Sequence, residues 1–371
     1  MANIYTQNGL QEVINASGRM TILGVSTVSE AVGRAVAEAA DHYVVIEDLM
    51  KYAGKKIGSM VGAQDACVTS SASAGIALSI ASLICRDSLE KVQHLYELLP
   101  DTQRREVILL KGQNVDFGAP VGEMIQIGGG KVVEVGYANK STLGDIRSAV
   151  SEKTLAIFFV KSHHCVQKEM VDARSAIELA NSLGIPCIVD AAAEEDLSLY
   201  NRLGADFVCY SGAKAIEGPT SGLVVCKTEE LAANMRLQYK GIGRAMKVGK
   251  ENMMGLLKAM EEYLAGEHQP AVNLDQLKEF AEKISSIPGC RTQIVQDEAG
   301  RLIYRCKITF GEEFGLSAEE VVEQLKKGNP AIYTRDYQAN LGSIAIDPRP
   351  LRSAQELETI YNSIKRLSKG D

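Results

Sequence analysis

No apolar run in this chain approaches the roughly 18 to 20 residues that a membrane-spanning helix requires. Its first residues, Met-Ala-Asn-Ile-Tyr-Thr-Gln-Asn, have neither the basic nor the apolar region of a secretory leader, so a cytoplasmic protein is expected. The eight cysteines (Cys67, Cys85, Cys165, Cys187, Cys209, Cys226, Cys290 and Cys306) show no C-x-x-C spacing, which argues against a disulfide framework or a zinc site. His163, His164 and Cys165 are consecutive, and consecutive residues of an extended segment point to opposite sides, so they would ligate one ion badly. No metal is expected. There is no G-x-x-x-x-G-K-[ST] and no G-x-G-x-x-G after a strand, which leaves a nucleotide without its usual fingerprint. Positive charge is not in excess either: 40 Lys and Arg stand against 47 Asp and Glu, a net charge of −7. That argues against a general nucleic-acid or membrane-surface binder.

What is present is enough apolar residue, 46% of 371, for one large domain and a smaller one. From about residue 42 to 240, short β-branched runs alternate with helix-length amphipathic stretches. The runs are Ala66 to Thr69, Val107 to Leu110, Val132 to Val135, Leu155 to Val160, Cys187 to Val189, Phe207 to Tyr210 and Leu223 to Cys226. Near-continuous apolar strands alternating with helices predict an α/β fold, a mostly parallel seven-stranded sheet sandwiched by helices. After a helix over Lys250 to Leu264 the rhythm changes to helix, strand pair, helix, strand and helix, a compact α+β domain. The expected boundaries are 1–41 for an N-terminal segment packing with the small domain or a dimer partner, 42–266 for the large domain and 267–371 for the small one.

In a parallel sheet, ligands bind beyond the C-terminal strand ends. After the run ending at Thr69 comes Ser70-Ser-Ala-Ser-Ala-Gly75, small residues opening a helix whose free N–H groups suit a phosphate dianion. After Leu110 comes Lys111-Gly-Gln-Asn114, which brings Gln113 or Asn114 toward a ring face. After Val160 come His163 and His164, two of only five histidines, able to meet a phenolic oxygen or a ring face. Asp190 ends the next run, and Lys214 follows the next after that, in Ser211-Gly-Ala-Lys-Ala-Ile-Glu-Gly-Pro-Thr-Ser-Gly222. A lysine and an aspartate at neighbouring strand ends suit pyridoxal 5'-phosphate: the lysine can form a Schiff base with its aldehyde, and the aspartate can keep its ring nitrogen protonated. Ser211 can reach the phosphate. This order of functions is the one that fold-type I pyridoxal-phosphate enzymes use.

Three segments carry a family resemblance: Ile14-Asn-Ala-Ser-Gly18, Val133-Glu-Val-Gly-Tyr-Ala-Asn-Lys-Ser-Thr-Leu-Gly-Asp145 and Ser211 to Gly222. They resemble the bacterial selenocysteine synthase (L-seryl-tRNA selenium transferase) superfamily. The segments Arg19-Met-Thr-Ile-Leu-Gly24 and Ser70 to Gly75 are similar to its short D-glucosaminate-6-phosphate ammonia-lyase branch. The resemblance implies the Schiff-base role for Lys214, the ring-nitrogen role for Asp190 and the phosphate role for Ser71, Ala72 and Ser73. The chain departs from the tRNA enzymes in having only 13 residues before Ile14, Ser and Ala where their phosphate loop is rich in Asn, and His163-His164 in place of a Ser-Asn. With its net charge, this implies a phosphorylated amino sugar acid and no tRNA.

For such a substrate Lys214 is the natural base for the Cα proton. Lys214, His163 or His164 would supply the acid for the departing 3-hydroxyl. Fold-type I enzymes commonly place a carboxylate-binding arginine in the small domain, and Arg349 in Ile346-Asp-Pro-Arg-Pro350 takes that role. Arg19, Lys168, Arg244 and Lys247 are the candidates for the distal phosphate. The run Lys240 to Lys250, with four basic residues and three glycines, suits a mobile anion-binding loop, and equally a solvated loop or a dimer contact. A homodimer or a larger even-numbered assembly is expected, since fold-type I enzymes build their sites at a dimer interface. The open alternatives are another pyridoxal-phosphate reaction (a transferase, racemase or aldolase) and a non-catalytic relative.

Overall fold

The computed structural model describes residues 3–267, 270–298 and 300–368, which divide into two compact units, Met1–Ser26 with His268–Asp371, and Thr27–Glu267. In chain order, strand β1 (Val13–Ala16) belongs to the first unit. The second unit holds β2 (Asp65–Thr69), β3 (Glu106–Leu110), β4 (Lys131–Val135), β5 (Thr154–Val160), β6 (Cys187–Asp190), β7 (Phe207–Ser211) and β8 (Gly222–Cys226). The chain then returns to the first unit with β9 (Cys290–Gln296), β10 (Tyr304–Phe310), β11 (Ala331–Thr334) and β12 (Ser343–Ile346).

Strands β2 to β8 form one sheet in the order β2-β8-β7-β6-β5-β3-β4. All seven expected strands are present, each end within one residue of its expected place. β5, β6 and β8 are buried along their whole length, as strands covered on both faces must be, whereas the edge strand β4 is half exposed. Every ladder is parallel except the two made by β8, which runs against both β2 and β7. Only ten residues join β7 to β8, too few for the crossover that parallel neighbours need, so the pair closes as a hairpin.

The helix Ala72–Cys85 lies against this sheet and is buried on nearly every side. Its two interior serines return their hydroxyls to the backbone, Ser79 to Gly75 O at 2.7 Å and Ser82 to Ser79 O at 2.8 Å. A Cβ on Gly75 would stand 2.7 Å from Val224 Cγ2, so glycine is what lets the helix approach β8. Residues 86–105, expected as a helical excursion, form the short helices Leu89–Gln93 and Leu95–Leu98, whose Val92 and Leu95 cover Ala81 and Cys85.

The division between the units falls after residue 26, not after 41. The helix Glu30–Asp41 belongs with the sheet unit, where Ser29 Oγ donates to Glu262 Oε2 at 2.7 Å and Lys250 Nζ to Ala40 O at 2.7 Å. In the other unit β9, β10 and β12 form an antiparallel sheet in the order β12-β10-β9. The helices Leu274–Ser285, Ala318–Lys327 and Ala354–Leu367 pack on it through Phe280, Ile284, Val321, Leu325, Ile360 and Ile364. The first two of these helices open with reciprocal caps, Asn273 with Gln276 and Ser317 with Glu320. A separate parallel ladder joins β1 to β11, Val13 opposite Ala331. Among the described residues no helix is long and apolar enough to cross a membrane.

Candidate active site

Because β8 is reversed, the ends of β2, β7, β6, β5, β3 and β4 that face C-terminally all meet one edge of the sheet. Gly222 opens β8 in register with Thr69 on one side and Ser211 on the other. The serine loop and the lysine turn therefore flank a single residue, about 10 Å apart across two strand spacings. A Cβ on Gly222 would stand 2.3 Å from Ser71 C and 2.6 Å from Ala72 N, so this close approach admits only glycine.

Ser71 caps the helix, its Oγ accepting the Ala74 N–H at 3.0 Å, while Thr69 Oγ1 donates to Ser71 O at 2.8 Å. Helix geometry leaves the N–H groups of Ala72 and Ser73 without intrahelical acceptors, with the positive end of a fourteen-residue helix behind them. Such free N–H groups at a helix start suit an anion such as phosphate.

Lys214 stands half-buried in the β7–β8 turn. The turn is fixed by the N–H of Gly212 donating to Ser221 O at 2.9 Å and that of Gly218 donating to Gly212 O at 2.8 Å. Asp190 ends β6, which is hydrogen-bonded to β7, with Asp190 opposite Cys209. Its side chain is buried and accepts the Ala192 N–H at 3.0 Å. Burial raises the pKa of this carboxyl, and the positive charge of Lys214 opposes the rise. A buried carboxylate with a lysine acting on it suits a cationic ring nitrogen, and the helix start suits a phosphate; the residues present fit pyridoxal phosphate.

The remaining strand ends refine the expectation. Of the histidine pair, whose ring centroids are 4.0 Å apart, His163 is half-buried with Nε2 enclosed and His164 is exposed. Gln113 is buried with its Oε1 taken by the Val160 N–H at 2.9 Å, so it ties the β3 loop to the end of β5. Its neighbour Asn114 donates to Glu134 Oε1 at 2.5 Å and accepts the Gly122 N–H at 3.2 Å. Ser211 ends β7 half-buried, its N–H donating to Ala192 O at 3.2 Å.

The basic candidates fall in both units. Lys168, Arg244 and Lys247 lie exposed in the sheet unit. The 240–250 run is not an open loop: Ile242–Met246 is a 3-10 turn, and a Cβ on Gly241 would meet Val92 O at 2.1 Å. The glycines there serve close packing. Arg19 and Arg349 belong to the other unit. Arg349 Nε and Nη2 donate to Asp347 Oδ1 at 2.9 Å and Oδ2 at 2.6 Å, so the edge expected to grip a substrate carboxylate is turned to Asp347. Sequence reasoning missed Gly222 and Asp347; the signals for them were a glycine opening an apolar run and an acid two residues before an arginine.

The family model described as SelA, L-seryl-tRNA selenium transferase, matches residues 13–329. The chain belongs to this family. It is 46% identical over 356 residues to the D-glucosaminate-6-phosphate ammonia lyase of Salmonella typhimurium (strain 14028s / SGSC 2262), covering 95% of each chain. It is 38% identical over 368 residues to the 5'-C-glycyluridine monooxygenase-decarboxylase of a Streptomyces species, covering 98% of this chain and 91% of that one. The solved structure of a D-glucosaminate-6-phosphate ammonia-lyase superposes with a TM-score of 0.90 at 44% identity, over 100% of this chain and 99% of that one. A serine palmitoyltransferase structure with pyridoxal phosphate, at 11% identity and a TM-score of 0.62 over 97% and 88% of the two chains, shares the fold alone. The fold is fold-type I.

Proposed function

We propose that this protein is a pyridoxal-phosphate-dependent carbon–nitrogen lyase. It converts D-glucosaminate 6-phosphate to 2-keto-3-deoxy-6-phosphogluconate and ammonia, in the cytoplasm and without tRNA. The observation that carries the reading is the whole-length match, 46% over 95% of both chains, to a lyase of that name. The strand-end geometry supports the cofactor: Lys214 would hold it covalently, Asp190 its ring nitrogen, and the Ser71–Ser73 turn with Ser211 its phosphate. When bound, the cofactor supplies an electron sink for charge developing at the substrate's Cα.

The chain's own residues supply the proton transfers. Lys214 Nζ takes the Cα proton from its place in the β7–β8 turn. The 3-hydroxyl departs as water on receiving a proton from Lys214 or His163, and hydrolysis returns one water as ammonia leaves. Arg349 would hold the carboxylate, while Arg19, Lys168, Arg244 and Lys247 are the candidates for the phosphate. A homodimer or larger even assembly fits the exposed apolar stretch Tyr43, Val44, Val45 and Ile46.

The test is incubation with D-glucosaminate 6-phosphate, with ammonia and the 2-keto acid assayed in parallel. Equimolar formation of both is expected; a yellow, cofactor-loaded protein that releases no ammonia would sink the lyase reading. The 38% relative favours a second reading, an oxygen-consuming decarboxylation at the same residues. Oxygen uptake and carbon dioxide release in place of ammonia would select it.

A further inference from the structure

The sheet has a second edge, opposite the one that carries Asp190 and Lys214. There β5 begins, the chain enters β6 after Pro186, and the helix Ala72–Cys85 ends. That helix has fourteen residues, so its end lies about 20 Å from the serines at its start. Residues of the 86–105 excursion, the strand starts and the helix Glu229–Leu237 enclose a cleft of about 460 Å³. A cleft of that size holds a small molecule. The reaction above does not use it.

Three cations line the cleft, Arg86, Lys91 and Arg104, against one carboxylate, Glu230. None of the three is in an ion pair among the described residues, in a chain whose net charge is −7. Arg104 Nε donates to Thr154 O at 2.8 Å, which anchors the guanidinium at the start of β5 and leaves both Nη groups for an acceptor. Arg86 follows the helix at φ +52° and ψ −130°. Glycine takes that conformation freely and a residue with a Cβ takes it at a cost, so arginine stands where the backbone alone would favour glycine.

The polar lining adds an independent observation. Ser82 Oγ donates to Ser79 O and Thr102 Oγ1 to Leu98 O, each at 2.8 Å. Asn234 is only 7% exposed, lines the same cleft, and its side-chain amide has no hydrogen-bond partner among the described residues. A buried amide without partners is costly, and a ligand that offers a donor or an acceptor removes the cost. The negative end of the helix 72–85 and the positive end of the helix 229–237 both border the cleft and offset each other, so the side chains set its sign.

We propose that this cleft binds a phosphate monoester of metabolite size. Three cations less one carboxylate leave a double positive charge, which a phosphate dianion balances and a single carboxylate does not. Arg86 and Arg104 hold the phosphate oxygens, which match guanidinium forks, and Lys91 adds charge. Asn234 bonds a polar group of the organic part, and that part lies against Leu83, Leu155 and Leu231. Nothing in this site depends on the chemistry at Lys214.

The chain has no tryptophan, so Glu230→Trp, at an exposed lining position, makes a fluorophore local to the cleft. The full-length holoenzyme carrying it is titrated with glucose 6-phosphate, adenosine 5'-monophosphate and inorganic phosphate. Isothermal titration of the unsubstituted holoenzyme checks that the tryptophan did not create the site. Saturable emission changes are expected, with one ester or both bound about tenfold more tightly than inorganic phosphate. Arg104→Gln and Arg86→Gly each weaken that ester by about tenfold or more, and Arg104→Lys recovers part of the loss. Arg86→Gly melts no lower than its parent, because glycine relieves the backbone, so its lost binding is not a damaged fold. The proposal is overturned if no probe changes the emission, or if inorganic phosphate binds as well as both esters. It is equally overturned if the arginine variants bind within about twofold of their parent.

Discussion

The charge of Lys214 acts on the buried carboxyl of Asp190, 24 residues earlier in the chain, from the turn that follows the neighbouring strand β7. Burial pushes that carboxyl up and the lysine draws it down. Removing either partner therefore changes the other. Lys214→Ala is expected to give a protein without the cofactor's visible band and insensitive to borohydride. Asp190→Asn should keep the band but lose at least about a hundredfold in kcat, since a neutral amide no longer holds the ring nitrogen cationic. Absorbance and single-turnover ammonia release check both. A fully active Asp190→Asn would remove Asp190 from its assigned role.

Gly222→Ala forces a methyl against the backbone of Ser71 and Ala72. The expected cost is about 1 to 3 kcal/mol, as for other overpacked sites, and cofactor affinity should fall with it. Thermal melting with and without added cofactor measures the two together. A variant that melts lower but binds the cofactor as before would separate the strand contact from the helix start.

His163 and His164 differ in enclosure, so their substitutions should differ too. We expect His163→Ala to lower kcat by about a hundredfold and His164→Ala by less than tenfold. The opposite ranking would reassign the contact to His164.

Burial alone would raise the Asp347 carboxyl, but the hydrogen bonds and charges of Arg349 and Arg305 hold it well below the usual carboxylate range. Asp297 is likewise held down by Arg301 and Arg305 against its burial. Acids depressed in this way stabilise the folded protein at pH values above the ordinary carboxylate pKa, and that stability is lost as pH falls below about 4 toward the folded-state values. The urea midpoint of the wild type should drop over that range. The midpoint of Asp347→Asn should start lower and fall less; an equal slope would show that Asp347 does not carry the dependence.

All eight cysteines are buried thiols. Burial pushes Cys67, Cys165 and Cys306 up to about 12, and Cys85 and Cys290 to about 11. A thiol-specific colorimetric reagent should titrate none of them rapidly before denaturant is added and all eight after it. One fast thiol in the native protein would mark a segment that opens locally.

Much of this was legible from residue order because burial on both faces makes each strand of a parallel sheet a plain apolar run. β5 and β8 were read that way almost to the residue. The reversal of β8 was readable in principle from its ten-residue connection but not from apolarity, which is the same in either direction. β1 and β11 were missed because each is four residues long and its partner is remote in sequence. Lys214 and Asp190 drew attention by type and strand-end position, and the structure brings them to neighbouring strand ends. Gln113 did not, because an amide that faces a ligand and one that fastens a strand look alike in sequence. The buried pairing of Arg305 with Asp297 and Asp347 was invisible for a related reason: on paper an arginine in a strand reads as surface.

The parallel ladder of β1 with β11 has a consequence for synthesis. Val13 and Ala331 are partners, so a strand translated among the first residues must wait for more than three hundred others before it can pair. The sheet unit, whose strands lie between Asp65 and Cys226, is complete well before that point. It can fold while the chain is still growing, as domains generally do, and the unit carrying Arg305 and Asp347 closes last. A ribosome stalled just short of β11 should therefore hold a protease-resistant sheet unit with an open N-terminal strand.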